Sequence, residues 1–142
     1  MAEKNSIFAD SNYFVALFNR ADSFYKKAQS IGKYLKANRI RLIISNLVFL
    51  EVVTVLSMRG GRAAAYRAGR YFFEDEFVEI CYVDEYLHKE AWRIFKQVPS
   101  KNISFVDCSV LAVMNAESIG ELLSFDKDFG KLKRYHKFEI LN

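Results

Sequence analysis

Ile7-Phe8-Ala9-Asp10-Ser11-Asn12 is a short apolar run that stops on a carboxylate, and how it is read decides the fold. Leu122-Leu123-Ser124-Phe125-Asp126-Lys127-Asp128-Phe129 repeats the design near the other end of the chain. Between them, Asp107 sits at the head of the apolar stretch Cys108 to Met114, and Glu51 interrupts the run from Leu47 to Leu56. A carboxylate set beside buried structure costs on the order of several kcal/mol unless a positive group compensates it. Several of them converging point to a bound divalent cation.

Outward from these runs, strands alternate with helices. Residues 6 to 9 read as a buried strand, and Ser11 to Phe18 as a helix capped by Ser11 or Asn12. Asp22 or Ser23 caps a second helix reaching about Ala37. Arg41 to Ile44 is a short strand, and Ser45 or Asn46 caps an apolar helix that Gly60-Gly61 breaks after Met58. Arg62 to Phe73 completes a helical hairpin. Phe77 to Val83 is β-branched and aromatic, hence a strand. From Asp84, the spacing of Leu87, Ala91, Ile94, Phe95 and Val98 is helical, with Trp92 packing beside the stripe and Pro99 as the stop. Ser104 caps a helix from Phe105 to about Ser118 that stops at Gly120, followed by a strand at 122 to 125 and a last one near Phe138 to Leu141. This alternation predicts a three-layer α/β/α sandwich around a mainly parallel sheet. With no repeat or linker, residues 1–142 read as a single domain.

Composition narrows the class. The chain of 142 residues is 51% hydrophobic and 27% charged, an ordinary soluble profile. Thirteen Phe and eight Tyr predict a bulky core. Met1-Ala2-Glu3-Lys4-Asn5 lacks the apolar run of a secretion signal, and Leu47 to Met58 is too short and too interrupted to span a bilayer. Cys81 and Cys108 have no metal-type spacing and read as structural thiols in a reducing cytoplasm. The net charge of +4 around an acidic, metal-filled cleft suits a polyanionic substrate, although charge alone fits a merely solvated surface equally well.

In open parallel sheets, sites form beyond the carboxyl ends of the strands. Asp10 ends the first strand, Asp126 follows a late one, and Asp107 lies in the first turn of a helix, where unpaired N–H groups favour an anion. Glu51 lies within a helix whose apolar neighbours turn it towards the same edge. An all-oxygen set selects Mg²⁺ or Mn²⁺ over zinc, and His88 and His136 read as surface residues rather than ligands. Taken singly, each acid has a plainer account. Asp10 and Asp107 are possible helix caps, Glu51 a surface residue, and Asp126 and Asp128 turn residues.

Together these segments resemble the PIN-domain ribonucleases over essentially the whole chain. Phe8-Ala9-Asp10-Ser11 is similar to the family's opening strand and Asp-Ser or Asp-Thr pair. Ser45-Asn46-Leu47-Val48-Phe49-Leu50-Glu51 resembles its second element, Ser104 to Ala112 its third, and Ser124-Phe125-Asp126-Lys127-Asp128-Phe129 its fourth. Order, spacing and length suit the compact prokaryotic toxin branch, the VapC-like proteins. Members often carry a His where this chain has Tyr25, and both Asp126 and Asp128 match variants of the last motif.

The resemblance implies a metal-dependent endoribonuclease, the toxin of a toxin–antitoxin pair. Asp10, Asp107 and Asp126 would hold one or two Mg²⁺ or Mn²⁺ ions, and Glu51 would be a ligand or would orient the attacking water. Ser11 and Ser124 would orient carboxylates, with Asp128 as alternate ligand. Arg59, Arg62, Arg67 and Arg70 are possible RNA contacts or an ordinary solvated helix face. Expected partners are RNA, an antitoxin and a second copy in a homodimer, with Tyr66, Tyr71 and Phe72 as exposed interface aromatics, and no membrane. Two other function classes remain open: a non-catalytic RNA- or protein-binding module, and a structure-specific DNA nuclease.

Overall fold

A computed structural model describes residues 5–142; the opening residues 1–4, part of the stretch read as lacking a secretion signal, lie outside them. Five strands form one sheet: β1 (Ser6–Ala9), β2 (Arg41–Ser45), β3 (Val78–Cys81), β4 (Glu121–Leu123) and β5 (Glu139–Leu141). All neighbours are parallel, in the order β3-β2-β1-β4-β5. The helices are α1 (Ser11–Leu17), α2 (Tyr25–Ala37), α3 (Asn46–Arg59), α4 (Arg62–Glu74), α5 (Glu85–Gln97) and α6 (Phe105–Ala116). A short 3-10 helix covers Lys127–Leu132.

The strand order fixes the layers. From β1 to β2 to β3 the chain moves one way across the sheet; from β3 to β4 it jumps back past β1. Crossovers between parallel strands are right-handed, so opposite directions of travel put the helices on opposite faces. Accordingly α1 packs on α2 and α3, and α3 on α4, while α5 packs on α6. The direction reverses between β1 and β4, which pair through Phe8 opposite Leu122 and Ala9 opposite Leu123.

Burial differs sharply between helices. In α6, Cys108 to Met114 are buried without a break, as expected of a helix pressed between the sheet and α5. The equally apolar α3 buries only Val48, Val52 and Leu56, one narrow stripe, and leaves Leu50 and Met58 in solvent. The core is aromatic: Phe14 meets Phe72 edge-on at 4.8 Å and Tyr13 at 5.0 Å. Among the described residues no helix is long and apolar enough to cross a membrane. Both thiols are free, Cys108 buried and Cys81 half-buried.

Several local expectations change. The cap of α1 is Asp10 rather than Ser11 or Asn12, because its carboxylate accepts from Ser11 N at 2.8 Å. Helix α2 begins at Tyr25 with no side-chain cap; Asp22 instead closes a tight turn by accepting from Phe24 N. Helix α6 ends at Ala116, and the reversal falls on Ser118 at φ 56°, not on Gly120. Strand β3 is shorter than Phe77 to Val83, and β4 ends at Leu123, leaving Ser124 and Phe125 beyond the ladder. Phe72 is buried and Tyr71 half-buried, so the exposed aromatics of α4 are Tyr66 and Phe73, each one residue past a buried position and so rotated about 100° from the core-facing stripe. Trp92 is half-exposed, stacked on Phe95 at 5.8 Å rather than buried.

Candidate active site

Asp10 lies where β1 ends, at the point where the strand order reverses, and it is the one buried acid of the described residues. Its backbone is locked to β4 by Asp10 N donating to Leu123 O at 2.9 Å. Oδ1 caps α1; Oδ2 accepts from Ser124 Oγ and from Asn12 Nδ2, both at 3.1 Å. Ser124, fully buried just past β4, in turn accepts from Asp126 N at 3.1 Å and Asn12 Nδ2 at 3.2 Å. Asn12 closes the ring by accepting from Phe125 N at 3.0 Å. The ends of β1 and β4 are thereby tied side chain to side chain.

The other acids arrive from separate elements. Asp107 occupies the first turn of α6 in a capping box: Ser104 Oγ accepts from Asp107 N, and Asp107 Oδ2 accepts from Ser104 N at 2.9 Å. Glu51 stands half-buried on α3 and lines a cleft of about 270 Å³ with Ser11, Asn12, Phe24, Arg59 and Phe125. Asp126 precedes the 3-10 helix, where one oxygen accepts from Asp128 N at 2.9 Å. Asp128 itself is paired with Lys131 at 2.9 Å.

The charges feel one another. Burial pushes the Asp10 carboxyl up to about 7, and the negative charges of Asp107 and Glu51 add to the rise against the opposing hydrogen bonds from Ser11 and Ser124. Asp107 is raised to about 6, mainly by burial, with Asp126 and Glu51 contributing and the Ser104 hydrogen bonds resisting. Asp128 contributes to neither rise. The four acids thus share a field rather than a finished cage: among the described residues no three His, Cys, Asp or Glu side chains stand together as a metal cluster. An all-oxygen, mutually repelling set of this kind fits a hard divalent cation, which would favour the ionised form of every member. His88, exposed against Phe105, and His136, bonded to Ile119 O, belong to other surroundings.

The four arginines separate. Arg59 lines the cleft with Glu51, whereas Arg62 and Arg70 flank a groove between α3 and α4. Arg67 faces Arg20, Phe18 and Tyr25 elsewhere. The α3–α4 groove, about 960 Å³, is lined by Phe49, Val53, Met58, Tyr66 and Phe73. Asn12 is the site residue that sequence reasoning missed as such, seeing only a helix cap. Its one legible signal is an amide two residues beyond a strand-ending Asp.

The PIN domain family profile matches residues 7–135. The chain is 32% identical over 124 residues to the 23S rRNA-specific endonuclease VapC20 of Mycobacterium tuberculosis, covering 87% of this chain and 91% of that one. The crystal structure of Mycobacterium tuberculosis VapC20, described as a sarcin–ricin loop cleaving toxin, superposes with a TM-score of 0.78 at 30% identity, over 88% of this chain and 93% of that one. A toxin–antitoxin complex from Klebsiella pneumoniae shares the fold at TM-score 0.64 and 15% identity, over 96% of each chain.

Proposed function

This chain belongs to the PIN domain family, and from that premise we propose that it is a metal-dependent endoribonuclease centred on Asp10, Glu51, Asp107 and Asp126. The observation that carries the assignment is the coupling of Asp10 and Asp107, two carboxyls raised by burial and by the other acids at the carboxyl edge of the sheet where the strand order reverses. A protein that only bound RNA would gain nothing from concentrating negative charge there, since phosphates are repelled by it.

Asp10, Asp107 and Asp126 would hold one or two ions, Mg²⁺ or Mn²⁺. When bound, such an ion offsets charge on the phosphodiester and makes attack by water feasible near neutral pH. Glu51, reaching in from α3 across the cleft, orients that water or completes the ligand set. Ser124 fixes the Asp10 carboxylate and the Asp126 backbone with one hydroxyl, and Ser11 N fixes the other Asp10 oxygen. Asp128, already paired with Lys131, serves as an alternate ligand. Hydrolysis places the water oxygen on phosphorus and returns its proton to the departing sugar oxygen, with no bond to the protein formed.

Likeness to VapC20 supports a toxin held in check by an antitoxin, with the sarcin–ricin loop of 23S rRNA as the first substrate to test. The apolar α3–α4 groove is the surface suited to burial by that antitoxin or by a second copy of the chain. Free Cys81 and Cys108 are compatible with work in the cytoplasm. The deciding assay incubates the protein with sarcin–ricin-loop RNA and total rRNA in Mg²⁺, Mn²⁺ or EDTA, with Asp107→Asn in parallel. Metal-dependent cutting lost in the variant is expected; cutting that persists in Asp107→Asn or in EDTA sinks the assignment.

A further inference from the structure

The cleft beside Glu51 is walled by two aromatic rings, and they are arranged for more than packing. Phe24 and Phe125 lie nearly parallel, centroids 4.8 Å apart at 17°. Phe125 is half-buried and fixed, its N–H bonded to Asn12, the same side chain that bonds Asp10 and Ser124. Its ring also rests on Tyr13 at 6.3 Å. Phe24 is held at its backbone by Asp22 and keeps 43% of its surface in solvent, although it is a large hydrophobe at the mouth of a cleft it shares with Glu51 and Arg59. Lys27 places its ammonium 5.8 Å from the Phe125 centroid, and Arg59 lines the same cleft from two turns beyond Glu51. Neither cation takes part in a salt bridge among the described residues.

We propose that Phe24, Phe125, Lys27 and Arg59 form a subsite for one unpaired nucleotide next to the cleaved bond, its base extending the Phe125–Phe24 column and its phosphate meeting Arg59 or Lys27. The inference rests on the ribonuclease assignment above and adds which feature of the RNA it selects. Aromatic faces accept any base, provided that the base is unstacked and its face is open. The cations supply the attraction that the nearby carboxylates deny to a phosphate. Because Phe125 and Asp10 share Asn12 as a hydrogen-bond partner, a base seated on the column is held in register with the acidic centre. The subsite therefore selects loops and bulges over duplex.

The test uses the full chain carrying Asp107→Asn and a hairpin RNA with 2-aminopurine placed at each loop position in turn. One loop position is expected to be quenched on binding. Adding Phe24→Ala should remove that quench and weaken binding roughly tenfold, the scale of one lost base stack. Phe24→Trp should restore both, and Tyr34→Ala, an exposed aromatic on α2 away from the cleft, should change neither. Quenching at no loop position, or a quench and affinity untouched by Phe24→Ala in folded protein, overturns the subsite. The two assignments fail separately. Cleavage by the otherwise wild-type protein with equal cleavage by Phe24→Ala rejects the subsite alone. No cleavage, with Phe24-dependent quenching intact, rejects the nuclease and keeps the subsite.

Discussion

At the carboxyl edge of the sheet this protein puts carboxyl groups where apolar side chains belong; on the α3–α4 hairpin it leaves Met58, Tyr66 and Phe73 where charges belong. At the first place, Asp10 is buried and every oxygen is met by a donor, yet burial, and after it the neighbouring acids, still push its proton affinity up. At the second, the anomaly is apolar area in water. Each region is unfavourable in the chain alone, by crowded negative charge at the first and by exposed apolar surface at the second. The difference teaches that an unfavourable feature indicates the chemistry of what relieves it.

The largest effect should come at the acidic edge. Asp107→Asn or Asp10→Asn should each lower kcat/KM for RNA about a thousandfold or more, the scale of losing a group that stabilises transition-state charge. In EDTA at pH 8, Asp10→Asn should melt no lower than wild type, because it removes a buried charge. A large drop in Tm would break the comparison by making Asp10 a structural asset.

Adjacent residues of α4 sharpen the contrast. Phe72→Ala should cost about 3–5 kcal/mol in urea denaturation, since it empties a core site against Phe14 and Phe49. Phe73→Glu should change stability by no more than about 0.5 kcal/mol while abolishing capture by the antitoxin or self-association. Equal costs at the two positions would show that the groove is not an open surface.

The pH dependence has a definite sign. Asp10 binds its proton more tightly in the folded than in the unfolded state, so its contribution to stability is complete below the unfolded value of 3.8 and is lost as pH rises towards 7. The loss amounts to about 4 kcal/mol at most, from a shift of about three pK units. Mg²⁺ should therefore raise Tm more at pH 8 than at pH 5, where protons compete for the same oxygens. Equal metal stabilisation at both values would contradict the coupling. A smaller effect belongs to Ser124→Ala, which leaves Asp126 N and Asp10 Oδ2 short of a partner and should cost about 1–2 kcal/mol, with cleavage reduced roughly tenfold.

Continuous apolar runs such as Ile7-Phe8-Ala9 and Leu42-Ile43-Ile44 were legible as strands because both faces of a parallel sheet are covered, so every residue of the run is apolar. Ser104 was legible as a cap, and Ser45 as one of two candidates beside Asn46, because each hydroxyl stands three residues before the N–H that donates to it. Phe72 and Phe73 were not separable by composition. Which of two adjacent aromatics is buried depends on the rotation of α4 against Phe14 and Phe49, a contact between distant segments. Asn12 was hidden for the same reason: its partners Ser124 and Phe125 lie more than a hundred residues away.

By itself, then, the sequence determined the order of strands and helices, the acids at their ends and the oxygen-only chemistry those acids offer, because these follow from local periodicity and side-chain type. Only the tertiary structure decided which of them meet. It brought β1 beside β4 so that one serine hydroxyl serves both Asp10 and Asp126, coupled Asp107 and Glu51 to the same field, parted the four arginines, and set Phe24 on Phe125 at the lip of the cleft. The physical reason is that charge coupling and ring stacking depend on distance through space, which is set by the pairing of strands and the packing of helices and not by position along the chain.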